Sequence, residues 1–166
     1  MKHFLVYVEE TIKKHWDRAS LTNYGANSYT YGEVAARIAK THLLFEKYGI
    51  KKGDHVAICA RNSAEWCITF LSITSYGAVA VPLLADFLPC NIAELANISD
   101  SRLMFVDKNI QAALERENLT GNFAGYKTVD GIIDIVNLST INNCGTEIEV
   151  TGEELGKAFV ARYPNG

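Results

Sequence analysis

The sequence predicts an α/β fold, a Rossmann-like parallel sheet in three layers with helices on both faces, and three observations carry that reading. The runs "HVAICA", "AVAVPL" and "RLMFVD" are apolar almost throughout rather than alternating, the pattern of strands covered on both faces. Between them stand two helix-length segments, "EWCITFLSITSYG" and the stretch after Pro89 in which Ile92, Leu95, Ala96 and Ile98 share a face. The links are short, so strand, helix, strand, helix, strand reads as a right-handed βαβαβ unit with parallel, neighbouring strands.

Ahead of that unit, "FLVYVEETIKKHW" places Leu5, Val8, Ile12 and Trp16 near helical spacing, which predicts an amphipathic helix resting on the rest of the domain. "SLTNY" and "NSYTY", separated by Gly25, Ala26 and Asn27, predict a small hairpin. Thr30 and Glu33 make a capping box, so a helix begins there, with Val34, Ile38, Phe45 and Tyr48 on one face and Gly49 as its stop. At the exit of "HVAICA", Asn62 and Glu65 repeat the N-cap and N3 pairing. The helix they open is apolar almost all round, is expected to be packed from several sides, and ends at Gly77. Pro89 suits the first turn of the next helix.

Beyond Asp107 the pattern weakens. "NIQAALERE" is helical, "GYKTV" fits a fourth strand, "DGIIDIVNLSTI" fits either state, and Asn142 to Gly145 is a turn-rich break. Thr151 and Glu154 form a third capping box ahead of "LGKAFVARY". The chain, 1–166, reads as one subdomain with its core unit at about 30–107 and a less sharply patterned remainder at 108–166.

Composition narrows the functions. With 166 residues, 48% apolar and 21% charged, the chain can bury a core as one domain or as part of a larger one. A net charge of -3 without a basic run gives nucleic acid no electrostatic handle. The apolar start of "MKHFLVYVEE" is cut short by Glu9 and Glu10, and no run approaches the ~20 residues of a transmembrane segment, so the chain reads as cytoplasmic. Four cysteines stand far apart without metal-ligand spacing. Cys59 and Cys67 lie inside apolar runs and are expected to be buried thiols.

Chemistry is sparse. "TGEELGKA" falls one residue short of the phosphate-loop spacing, has Ala158 where a hydroxyl belongs, and carries two carboxylates that repel phosphate. No GxGxxG follows any predicted strand. Arg61, Asn62 and Ser63 at a helix start could hold an anion, but an N-cap beside a solvated arginine is the simpler account. His3, His15, His42 and His55 stand beside no nucleophile turn, and Asp86, Asp100, Asp107 and Asp130 have no spacing that implies a catalytic pair or a metal site. No catalytic or metal-ligating residue is assigned from the residues alone.

The pieces "TYGEV", "GIKKGDHVAI", "RNSAEW", "YGAVAVPL" and "ISDSRLMFVD", in this order over about 80 residues, resemble the start of the AMP-forming acyl-CoA synthetases, the adenylate-forming ligases. "RNSAEW", "LMFVD" and the late "ARYP" look most like the long-chain fatty-acid branch. The resemblance implies the N-terminal part of a larger ligase fold. It also implies an enzyme that activates a fatty acid or other carboxylic acid with ATP and magnesium to an acyl-adenylate, then passes the acyl group to coenzyme A. In such enzymes the Ser/Thr/Gly-rich phosphate loop and the catalytic lysine come after a region like this one, and no "SGTTG" stands here. The chain is therefore expected to be a truncated N-terminal subdomain, inactive by itself and prone to self-association through apolar surface left uncovered. Leu84, Ala85 and Asp86 are the carried-over candidates for a loop facing coenzyme A, against the plainer reading of a strand-to-helix connection. The alternative to a truncated ligase is a complete, non-catalytic binding module with a ligase-like half fold.

Overall fold

The computed structural model describes residues 3–26, 28–119, 126–143 and 148–162. Helix α1 (Phe4–Lys14) buries only Ile12 and stops before Trp16, which leaves the helix so that its indole covers Gly32. Strands β1 (Ala19–Thr22) and β2 (Ser28–Thr30) form the expected antiparallel hairpin. Helix α2 (Tyr31–Lys47) starts at the capping box: Glu33 N–H donates to Thr30 Oγ1 at 3.2 Å, and Thr30 N–H donates to the Glu33 carboxylate at 2.7 Å. It ends where Gly49, at φ +65°, turns the chain and Ile50 N–H donates to the Phe45 carbonyl at 2.9 Å.

The main sheet has the order β4-β3-β5-β6-β7. Strands β3 (His55–Cys59), β4 (Val79–Leu83), β5 (Ser101–Val106) and β6 (Gly131–Asp134) are parallel, and β7 (Thr140–Asn143) closes the sheet antiparallel. Helices α2 and α3 (Ala64–Tyr76) cover one face, where Phe45, Ile58, Ile73, Leu103, Phe105 and Ile133 form one core. Helices α4 (Pro89–Ile98) and α5 (Lys108–Arg116) cover the other, over Ala57, Cys59, Ile92, Met104, Ile110 and Ile132. Side chains alternate along β5, so Leu103 and Phe105 enter the first core while Met104 and Val106 enter the second. Apolar residues at every position are the direct consequence. Helix α6 (Gly152–Arg162) follows the third capping box as expected.

Several expectations are corrected. The three apolar runs are parallel in one sheet, but β3 lies between β4 and β5, which do not pair with each other. Strand β4 is an edge rather than a buried strand, with Val79 43% exposed. Pro82 explains the placement: Val79 donates its N–H to Asp54 on the β3 side, so by alternation Pro82, which has no N–H, falls on the open side. The stretch 126–129 is irregular, and the fourth parallel strand is Gly131–Asp134. "DGIIDIVNLSTI" makes β6, a tight turn and the start of β7, so Asn142 and Asn143 belong to a strand; residues 144 and 145 lie outside the described residues. Cys59 is buried, but Cys67 is exposed on α3.

Gly131 is required where it stands, because a Cβ there would meet the Tyr48 ring at 2.7 Å. The Tyr48 hydroxyl also holds Thr140 Oγ1 at 3.0 Å, so the ring cannot move without breaking that bond. Gly131→Ala is expected to lower stability by about 1–3 kcal/mol through overpacking. A shift in the urea midpoint measures it, and an unchanged midpoint would show that the ring yields freely.

Candidate functional site

In an open parallel sheet, ligands lie outside the carboxyl ends of the strands, near the point where the chain reverses its winding order. Here β3 is that pivot, since the connections through α3 and α4 leave on opposite faces. At the carboxyl ends of β3 and β4 lies a cleft of about 520 Å³ between Ala60, Arg61, Asn62 and Trp66 on one side and the 82–86 segment on the other. Register explains the pairing of its lips. Cys59 stands opposite Leu83, so two or three residues further on Arg61 and Asp86 meet, with the guanidinium 3.6 Å from the carboxylate.

The candidate residues Leu84, Ala85 and Asp86 thus share one lip. Leu84 is 66% exposed, while its carbonyl accepts from the Cys59 thiol at 3.8 Å and from Phe87 N–H at 3.2 Å. The lip is tied down at the Leu84 carbonyl, with the Leu84 and Asp86 side chains facing outward and Ala85 half-buried against the second core. Burial, with the Asp107 carboxylate adding in the same direction, pushes the Cys59 thiol up to about 12, so it is an inert thiol and not a nucleophile. Trp66 supplies an aromatic wall and stacks on Phe70, 5.7 Å between centroids and 7° between planes. Sequence analysis weighed Arg61 only as a possible anion contact at a helix start, and Trp66 was not singled out. The signal that finds them is that two parallel neighbours end together.

The start of α3 differs from the expected cap by one residue. Ser63, not Asn62, is the N-cap, its Oγ accepting from Trp66 N–H at 3.1 Å. Glu65 turns instead toward the hairpin, accepting from Tyr29 Oη at 2.6 Å and from Asn23 Nδ2 at 2.9 Å. A third tie runs from Ala64 N–H to Asn23 Oδ1 at 2.7 Å. These bonds outweigh burial, which raises the Glu65 pKa, and hold its carboxyl below the ordinary value. Arg61 is 72% exposed and extends into the cleft mouth, as the simpler account of that turn expects.

Other groupings are structural. His42 is brought beside Ser75, with Nε2 at 3.1 Å from Oγ and 2.9 Å from the Ser72 carbonyl. A nitrogen that donates to a carbonyl carries a proton and is no base for the neighbouring hydroxyl. "TGEELGKA" is a helix start in which Thr151 Oγ1 accepts from Glu154 N–H at 3.2 Å, not a phosphate loop. At the opposite end of the sheet Arg102 bridges Asp54, at 3.0 Å, and Asp130, and also donates to the Gly49 and Tyr48 carbonyls. Among the described residues no group of three His, Cys, Asp or Glu side chains converges. Among the same residues no helix is long and apolar enough to cross a membrane.

A family profile described as AMP-binding enzyme matches residues 8–151. The chain belongs to the AMP-binding enzyme family. Its relatives include the 3-hydroxybenzoate–CoA ligase of Aromatoleum sp. (strain CIB), 34% identical over 83 residues, which cover 50% of this chain and 16% of that protein. Among solved structures, the N-terminal domain of FACL13 from Mycobacterium tuberculosis superposes with a TM-score of 0.68 at 19% identity, covering 96% of this chain and 36% of that one. A Mycobacterium tuberculosis fatty acyl CoA synthetase superposes with a TM-score of 0.67 at 17% identity, covering 93% of this chain and 27% of that one. The chain spans at most 4% of the first three large synthetases among its curated relatives. The fold of this AMP-binding family member is therefore that of the N-terminal portion of adenylate-forming ligases.

Proposed function

We propose that residues 1–166 are the N-terminal subdomain of an AMP-forming acyl-CoA ligase. The whole protein activates a carboxylic acid, in our reading a long-chain fatty acid, with ATP and magnesium, and transfers the acyl group to coenzyme A. The observation that carries this is the family match over residues 8–151. The choice of acid is supported by the likeness to a fatty acyl CoA synthetase over 93% of the chain, set against a hydroxybenzoate ligase among the relatives. In this reading the 84–86 lip, with Arg61 opposite, borders the path of coenzyme A, and the 166-residue chain alone does no chemistry. It works in the cytoplasm, and as an isolated piece it self-associates through exposed Leu84, Phe87 and Leu88.

The test is acid-dependent AMP release by the whole protein carrying this segment, in the presence of coenzyme A. A sixteen-carbon acid is expected to surpass benzoate by ~10-fold or more in kcat/KM. Equal or reversed preference overturns the choice of acid, and no AMP with any acid overturns the ligase reading. Adenylate formation by the 166-residue chain alone would refute the subdomain reading.

A further inference from the structure

Asp107 sits at the carboxyl end of β5 and does two things with one carboxylate. Its Oδ1 caps α5, accepting from Asn109 N–H at 2.9 Å and Ile110 N–H at 3.0 Å. Its Oδ2 reaches across the sheet and accepts from Arg61 N–H at 2.8 Å, 46 residues away. Only the first is needed to start a helix. The second anchors the β3–α3 connector at the residue whose guanidinium opposes Asp86 across the cleft.

We propose that Asp107 is a positioning residue for the coenzyme A cleft, holding the Arg61 backbone so that its guanidinium stands at the lip where an anionic ligand enters. This rests on the reading of that cleft as facing coenzyme A. The side-chain pair across the cleft is weak: Arg61 and Asp86 are 72% and 90% exposed, a geometry that contributes little and is readily exchanged for a ligand phosphate. The guanidinium is thus free to change partners, while the backbone beneath it is fixed by a bond to a charged acceptor, the stronger class of hydrogen bond. A connector without that bond would spread Arg61 over many orientations, and the ligand would have to order it on binding.

The carboxylate's division of labour allows a clean substitution. Asp107→Asn keeps an oxygen for the α5 cap, where asparagine and aspartate are equivalent, but turns an N–H₂ toward the Arg61 N–H. Asp107→Ser keeps a capping hydroxyl that is too short to span to Arg61. Calorimetric titration of the whole protein carrying this segment with coenzyme A reads the outcome, with amide hydrogen exchange at Arg61 as a direct report on the anchor. Both variants are expected to bind coenzyme A roughly 10-fold more weakly, as loss of a charge-assisted bond allows, and to exchange the Arg61 amide faster. Gly131→Ala, which loosens the far side of the sheet, is expected to keep the unmodified affinity and so separates positioning from general destabilisation. If the unmodified protein binds coenzyme A and the two Asp107 variants match it, the positioning role is wrong and the cleft reading stands. If the unmodified protein does not bind coenzyme A, the cleft reading fails and the positioning role falls with it.

Discussion

Phe105→Ala is expected to remove about 3–5 kcal/mol of stability, a large share of the ~5–15 kcal/mol that holds a domain of this kind together. Phe105 lies on β5, between β3 and β6, and is fully buried. Its ring meets Phe45 of α2 edge-on, 6.1 Å between centroids at 81°, and Phe45 in turn meets Tyr76 of α3 at 5.2 Å and 70°. The three rings join the sheet to both helices on that face, so truncating the middle of the sheet leaves a void that neither helix can fill alone. Phe105→Leu retains most of the volume and is expected to lose roughly half as much, since the cost follows the residual cavity. Urea unfolding of the two variants decides it. A loss under ~1 kcal/mol for the alanine would mean that the ring is not in a close-packed core.

That core was legible in the sequence because burial on both faces writes itself locally: "RLMFVD" has no polar alternation, and its neighbours in space supply apolar residues with the same density. Strand order was less legible. Periodicity reports how many faces are covered and not which edge is open, and "AVAVPL" looked like a central strand although Pro82 marks it as an edge. The start of α3 shows a different difficulty. Asn62 and Ser63 are both capping residues, and the choice between them was made by Glu65, whose partners Asn23 and Tyr29 are 42 and 36 residues away. The cleft follows the same pattern. Leu84 to Asp86 were found by resemblance, whereas Arg61 facing Asp86 and Asp107 anchoring Arg61 depend on strands ending side by side, which a local pattern does not record.

The Glu65 tether makes the second large effect pH-dependent. Glu65 is 6% exposed, and its carboxylate takes three contacts from two donor groups: Tyr29 Oη, and Asn23 Nδ2 at both of its oxygens, 2.9 and 3.2 Å. Glu65→Gln presents one N–H₂ group where an acceptor is required, so either the tyrosine hydroxyl or the asparagine amide loses its partner. The loss at pH 7 is expected to be about 2–3 kcal/mol, the range for bonds to a charged group whose removal leaves a buried polar atom unmatched. The sign of the pH effect follows from the direction of the shift. Burial raises the Glu65 pKa, the bonds from Tyr29 and Asn23 lower it by more, and the net folded value lies below the ordinary 4.5. A depressed folded pKa means that the unfolded chain takes up the proton first, so the ionised tether stabilises fully above the unfolded value and loses its advantage as pH falls through the folded one. Tyr29 runs the opposite way: burial and the bond to Glu65 raise its pKa, so its contribution persists through neutral pH and is lost only in strong alkali, above the ordinary 10.0. The gap in stability between the unmodified chain and Glu65→Gln should therefore be constant from pH 6 to pH 8 and narrow on acidification below about pH 4.5, as the native carboxyl becomes a neutral group like the amide that replaced it. Urea midpoints across that range measure the gap. One that stays constant into acid would mean that Glu65 is held by its shape between α3 and the β1–β2 hairpin and not by its charge.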